Sequence, residues 1–331
     1  MLTALQLLGA LLLLVIASDA FTNAVEWIGC IYGLTRSAAG AVVAAVGSSL
    51  PETMVAVVAL VILRDPASQQ VGIGAVLGAP FVLATLVFAL IGTIALFRKS
   101  SQPLMRKAVE VPTEVATFGL AFFLLTFALV IGASFAPTPS VRLAAAGLVI
   151  AAYFVYLLRH FTQTGPECDE TPPPLRISPG ARRPPIALVF IQVAVALVVT
   201  VAASRWFVSS VSAVAVQIGV APLIVSLFLS PIATELPEAM NVSIWLRRGQ
   251  DELALSNVLG AMMFQTSIAS AIAMLASPWH LSGPAYAACA ATFAAASLVL
   301  LTALLGRRVG ALPLASCVVF YVAYITIVAS T

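Results

Sequence analysis

Apolar residues fill this chain in long blocks separated by short gaps rich in charge, proline or glycine, and no block shows the strict alternation of a half-buried strand. A helix needs about 20 apolar residues to cross a bilayer. Blocks of that length fall near residues 3–33, 38–62, 69–97, 112–136 and 140–159, and again near 185–217, 220–246, 253–276, 282–305 and 310–329. The pattern predicts ten transmembrane helices, with residues 1–159 and 185–331 each forming five. Residues 160–184 lie between them, with Pro172, Pro173 and Pro174 beside Glu167, Asp169 and Glu170, and read as an extended, solvated cytoplasmic linker.

The halves are related in sequence. Gly47-Ser48-Ser49-Leu50-Pro51-Glu52 reads like Ala233-Thr234-Glu235-Leu236-Pro237-Glu238. The offset of 186 residues holds without a gap from Ser18 over Ser204, through Gly33 over Gly219, to Glu52 over Glu238. An odd number of spans per repeat turns the second repeat over relative to the first. The expected fold is therefore an all-α integral membrane protein of two inverted five-helix repeats, with broken helices at the midplane.

Composition agrees with that reading. Of 331 residues, 61% are hydrophobic and 9% charged, and the mean hydropathy is +1.09, which excludes a soluble domain. The net charge is +3, but its placement says more than its sum. With both termini extracytoplasmic, thirteen of the sixteen Lys and Arg residues lie in or beside cytoplasmic loops. Only Arg64 and Arg142 fall outside, and Arg205 lies within a helix. This bias predicts that orientation, in a prokaryotic plasma membrane. No Lys or Arg precedes the first apolar run, and its residues from Ser18 belong to the repeat, so it reads as a helix rather than a leader.

Two residue types are out of place in such blocks. A carboxylate inside a bilayer costs about 3 kcal/mol on insertion scales and is usually tied to an ion or proton path. A proline in a helix frees the carbonyl four residues back, here Gly47 for Pro51 and Ala233 for Pro237. Ser48 and Thr234 each stand four residues before Glu52 and Glu238, one turn away on the same helix face. Carboxylate, hydroxyl and freed carbonyls make an oxygen cluster suited to a hard cation such as Ca²⁺ or Na⁺, with Glu52 and Glu238 as the metal-binding carboxylates. A kinked helix with a structurally buried acid is the plainer alternative for one copy. Two copies at one offset argue against it.

Asp19 and Arg205 are the charged neighbours of Ser18 and Ser204 and take equivalent positions with opposite charge, so they are candidates to pair across the repeat or to reach their own interfaces. Cys30, Cys168, Cys289 and Cys317 have no metal or redox spacing. His160 and His280 are the only histidines, and no HExxH or nucleophile–base motif accompanies them, so no enzyme is expected.

After each LPE segment the chain re-enters the membrane through Gly74 to Leu83 and Ser256 to Gln265, where Gly78, Ala79, Gly260 and Ala261 permit close backbone approach. Together these segments resemble the two alpha repeats of the cation/calcium exchanger superfamily, which carry G-T-S-L-P-E and then N-x-x-G-S-N-x-F-[ND]. The resemblance implies exchange of Ca²⁺ against Na⁺ by alternating access, with Glu52 and Glu238 as central carboxylates. It implies that the carbonyls of Ser48 and Thr234 help bind the divalent ion and that Ser49 lies on the sodium path. The partner of Ser49 is Glu235, which adds a third carboxylate. Asn257 matches the leading Asn, whereas Ala75 does not. The family serine is Ala79 and Ala261 here, and its final Asn or Asp is Leu83 in the first half and Gln265 in the second.

Three carboxylates exceed the charge of one Ca²⁺, and clustered acids raise one another's pKa, so Glu235 is a candidate proton carrier. The expected function is thus a secondary active antiporter exchanging Ca²⁺ or a related divalent cation against Na⁺ or H⁺. The alternatives are a monovalent cation/proton exchanger and a non-transporting membrane sensor. Its partners would be inorganic cations and lipid, with no cofactor, no nucleic acid and a monomeric working unit.

Overall fold

A computed structural model of the protein describes residues 2–32, 45–98, 108–136, 138–161, 172–181 and 183–330. The chain runs through α1 (Leu2–Ile31), then α2 (Ala45–Val57), which passes into a π-helical turn at Val58–Leu63. Next come α3 (Pro66–Val82), a π-helical turn at Leu83–Val87, and α4 (Phe88–Phe97). The first half closes with β1 (Ala108–Val109), α5 (Thr113–Ala133) and α6 (Pro139–Phe161). The second opens with α7 (Ile186–Ile218), α8 (Pro222–Thr234) and α9 (Leu236–Arg247). It continues through α10 (Asp251–Phe264), a π-helical turn at Gln265–Ala269, α11 (Ser270–Ala276) and α12 (Gly283–Gly306). It ends with β2 (Val309–Gly310), α13 (Ala311–Ser316) and α14 (Val318–Ala329).

Eight helical stretches among the described residues are long and apolar enough to cross a membrane. They are α1, α3 with α4, α5, α6, α7, α10 with α11, α12, and α13 with α14. Two expected spans differ, because Glu52–Leu63 and Pro222–Pro231 are shorter apolar helices. Residues 38–44 of the expected 38–62 span lie outside the described residues. Leu5, Leu8, Leu12 and Ile16 of α1 keep more than half their surface exposed, at the three- and four-residue spacing of one helix face. An apolar face of that extent suits lipid, not water. The protein is an integral membrane protein.

Local signals place the helix ends. Asp65 caps α3, accepting the Ser68 N–H at 3.0 Å, and Pro66 follows at the first helical position, where its missing N–H costs nothing. A bond from the Ser68 hydroxyl, together with this one from its N–H, holds the Asp65 carboxyl below its ordinary value. α7 stops where Gly219 takes φ 69°, a left-handed conformation that glycine adopts without strain.

Packing divides the chain into two compact units, each drawing on both sequence halves. The first comprises Met1–Ala75 and Phe154–Pro237. Within it α1 lies along α7, and α2 and α8 pack against both. Its core joins Leu7, Ala10 and Leu14 to Ala203, Phe207 and Val211. Gly74 lets α8 close on the start of α3: a Cβ there would meet the Leu223 carbonyl at 2.7 Å. Ser226 secures this approach by donating to the Val71 carbonyl at 2.7 Å.

The end of the linker belongs to this unit and is docked, where a solvated linker was expected. The Pro173 carbonyl accepts from Asn23 Nδ2 (3.0 Å) and Trp27 Nε1 (2.9 Å). The Ile177 N–H donates to Gln192 Oε1 at 3.0 Å, and Gln192 Nε2 donates to the Ala20 carbonyl at 2.7 Å. Leu175 is buried among Ala24, Trp27 and Val189. Arg176 forms a two-pronged bond to Asp19, at 2.8 and 3.0 Å, which lifts the guanidinium above its ordinary value. Asp19 therefore pairs with the linker and not with Arg205, which is exposed on α7. The linker acids Glu167, Asp169 and Glu170 lie outside the described residues.

The second unit comprises Val76–Tyr153 and Glu238–Thr331. In it α5 packs on α10 and α12, and α4 lies against α13. Gly92 makes that contact possible, since a Cβ would strike the backbone of Ala311 and Ala315. Arg98, just past α4, grips fully buried Asp251 at the start of α10 with bonds of 2.6 and 2.9 Å. Asp251 also accepts the Glu110 N–H at 3.0 Å, so the buried charge is answered on both oxygens. β1 and β2 pair antiparallel beside it, Ala108 with Gly310 and Val109 with Val309.

Candidate cation-binding site

The two LPE segments fold differently. In the second, Pro231 and Pro237 each lack the N–H that would continue the helix. α8 ends at Thr234, the Glu235 N–H turns back to the Pro231 carbonyl at 2.8 Å, and α9 begins at Leu236. In the first copy α2 runs unbroken through Pro51, so the break expected there is absent. The difference has a local cause. Pro231 corresponds at the 186-residue offset to Ala45, leaving one proline where the second copy has two.

In the first unit Glu52 and Ser49 are buried on α2, with 2% and 0% of their surfaces exposed. Thr53 Oγ1 donates to the Ser49 carbonyl at 3.0 Å. Thr234 is buried on α8, which packs against α2, and its hydroxyl donates to the Ser230 carbonyl at 2.8 Å. Glu235 is buried at the break itself. Gly47, Ser48 and Ala233 are helical, but the Ser48 side chain lies outside what the structure describes. Ser49, Glu52, Thr234 and Glu235 thus fall within one unit.

In the second unit Glu238 is buried in the first turn of α9, where the positive end of the helix dipole favours a carboxylate. Asn257 of α10 donates to Glu238 Oε1 at 3.3 Å. Asn257 Oδ1 has no hydrogen-bond partner among the described residues. Gln265 follows eight residues on, fully buried, and opens the π-helical turn. Glu238, Asn257 and Gln265 therefore all fall in this unit, with Asn257 bonded to Glu238.

Two features escaped the sequence reading. π-Helical turns, which are rare and often found at functional sites, occupy Leu83–Val87 and Gln265–Ala269, equivalent positions of the two repeats. Thr266 and Ser267 directly follow Gln265, are fully buried, and have hydroxyls without a partner among the described residues. A buried polar group left without a partner costs about 1–3 kcal/mol. The signal available was a Gln-Thr-Ser run in an otherwise apolar span. No group of three or more His, Cys, Asp or Glu that could hold a metal occurs among the described residues. The donor set is thus mixed: carboxylate, amide, hydroxyl and carbonyl oxygens, which suit hard cations.

The fold resembles that of solved exchangers. The H⁺/Ca²⁺ exchanger CAX superposes with a TM-score of 0.77 over 98% of this chain and 82% of its own, at 18% identity. The sodium-calcium exchanger NCX_Mj gives 0.61, covering 98% of each chain at 20% identity. The inner membrane protein YrbG of Escherichia coli (strain K12) is 25% identical over 284 residues, which are 86% of this chain and 82% of YrbG. The fold is that of the solved exchangers, and it buries oxygen donors inside membrane-length helices. The sodium/calcium exchanger protein family matches residues 2–162 and 188–330, and the chain belongs to that family.

Proposed function

We propose that the protein is a secondary active antiporter that exchanges Ca²⁺ or a related divalent cation against H⁺ or Na⁺ by alternating access. The observation that carries this reading is the pair of buried carboxylates, Glu52 and Glu238, at equivalent positions of two related membrane-length halves. Such groups are costly in a bilayer unless an ion or proton uses them. In this reading Glu52 and Glu238 bind the divalent ion with help from the carbonyls of Gly47, Ser48, Ala233 and Thr234. Ser49, Asn257 and Gln265 complete the cation path, and Glu235 carries a proton. Ten spans in two inverted repeats, both termini outside the inner membrane and a monomeric working unit belong to the same proposal.

H⁺ is favoured over Na⁺ by the apolar first repeat, where Ala79 and Leu83 offer no side-chain oxygen, and by the surplus carboxylate of Glu235. The test is ⁴⁵Ca²⁺ uptake into proteoliposomes under an imposed pH gradient or an imposed Na⁺ gradient. Uptake driven by the pH gradient alone is expected. Uptake driven by Na⁺ alone would reverse the coupling assignment, and no uptake under either gradient would overturn calcium antiport.

A further inference from the structure

Buried threonines on the helices of this protein follow one habit, whereas the helical serines Ser18, Ser204, Ser212 and Ser230 have hydroxyls without a partner among the described residues. Thr53, Thr85, Thr126, Thr200 and Thr292 each donate to the carbonyl four residues back, at 2.5 to 3.0 Å. That bond satisfies a hydroxyl where water does not reach. Thr266 breaks the habit, and Ser267 directly beside it also lacks a partner among the described residues. They stand in the π-helical turn, whose backbone bonds reach five residues back and whose carbonyls are aimed differently from those of an α-helix. Ser270 fits that altered geometry by donating to the Gln265 carbonyl, five residues back, at 3.1 Å.

The first repeat supplies an internal control. Its π-helical turn begins at Leu83 where the other begins at Gln265, so Ala84 corresponds to Thr266 and Thr85 to Ser267. The Thr85 hydroxyl is engaged by the Phe81 carbonyl at 2.5 Å. The same backbone device therefore carries one occupied hydroxyl in the first repeat and two open ones in the second.

The geometry points to Thr266 and Ser267 as oxygen donors to the transported cation, directly or through one water, beside Gln265. This inference rests on the antiport reading. Hydroxyl oxygens are hard, neutral ligands that raise the coordination number without adding charge. They suit a site whose carboxylates already match a divalent ion, and there they set affinity and selectivity rather than attract the ion. They also stand close along the helix to the position where the first repeat offers only Leu83.

The test compares ⁴⁵Ca²⁺ uptake as a function of Ca²⁺ concentration, and the rise in melting temperature that Ca²⁺ produces in purified protein, for wild type and variants. Thr266→Val with Ser267→Ala should raise the KM for Ca²⁺ by about fivefold or more, keep maximal uptake within about twofold, and shrink the Ca²⁺-induced stabilisation. Without cation the double variant should melt no lower than wild type, because the lost hydroxyls held no bond. Thr85→Val should keep the wild-type KM, because the Thr85 hydroxyl is already held by the Phe81 carbonyl. Ser267→Cys, which keeps the volume but replaces a hard oxygen with sulfur, should raise KM and serves if the double variant does not fold. Wild-type KM and stabilisation in the double variant, or in Ser267→Cys where it stands in, would overturn the inference while leaving antiport intact. A wild-type protein neither transporting nor stabilised by Ca²⁺ would overturn both.

Discussion

The two segments that re-enter the membrane after the LPE motifs share a backbone and differ in chemistry. Each is a long helix interrupted by a π-helical turn at the same repeat position, Leu83–Val87 in one and Gln265–Ala269 in the other. Along the first stand Ala75, Ala79, Leu83 and Ala84, and at the equivalent places of the second stand Asn257, Ala261, Gln265 and Thr266. Backbone geometry has been kept while polar duty has moved to one side. The LPE segments show a complementary split, with Glu52 on a continuous helix and Glu238 at the start of a new one. A repeat protein can thus keep its backbone devices matched and its buried polar groups unequal.

The sharpest break of this comparison is at the carboxylates, which remain matched. Glu52→Gln and Glu238→Gln should each cut divalent uptake by at least about 1000-fold, since both charges are required to replace the hydration of a divalent ion. Robust uptake by either variant would make one carboxylate dispensable and the site more one-sided than proposed. The next effect concerns the joint between the two segments, where Arg98 beyond α4 meets Asp251 at the head of α10. Arg98→Ala should cost about 3–5 kcal/mol by leaving a buried charge unpaired, read as a lowered melting temperature. An Arg98→Ala, Asp251→Leu double variant should recover much of the loss.

Polarity itself can be moved. Gln265→Leu should weaken divalent affinity by about tenfold, of the order of one lost hydrogen bond to a charged group, while Leu83→Gln should restore an oxygen to the first repeat and introduce Na⁺-stimulated uptake. Leu83→Gln with no change in ion dependence would mean that the first segment no longer contributes to the path. The smallest effect lies at the entry to the first segment. Asp65→Ala should cost about 1 kcal/mol by removing the α3 cap, measured by thermal melting. Because the Asp65 carboxyl sits below its ordinary value when folded, its contribution is present above the ordinary carboxylate range and fades as pH falls through the folded value. The penalty of Asp65→Ala should therefore shrink in strong acid.

Membrane class, the repeat and the paired carboxylates were legible because they are written locally, in apolar runs, in an ungapped offset and in two unusual residues. The unequal fate of the LPE segments was legible in principle too, as Pro231 against Ala45. The partner of Asp19 was not. Arg176 lies far along the chain in a proline-rich stretch whose composition suggests exposure, and only the tertiary docking of Leu175 and the Pro173 carbonyl brings it to α1. The open hydroxyls of Thr266 and Ser267 were hidden for a related reason: a π-helical turn has no dependable residue signature, and even its backbone leaves Thr85 bonded to the Phe81 carbonyl while Thr266 and Ser267 find no partner among the described residues.

The docked linker has a consequence for how such a protein can be made. Residues 173–177 are held as a bound peptide is held, through a main-chain carbonyl on Asn23 and Trp27, a main-chain N–H on Gln192 and one apolar side chain in a pocket. That is recognition between chains written within one chain, so continuity of the polypeptide is not what keeps this segment on α1 and α7. Two separately translated pieces, residues 1–165 and 166–331, should find each other when co-expressed. A gene encoding this fold can then be divided in the linker without losing the product.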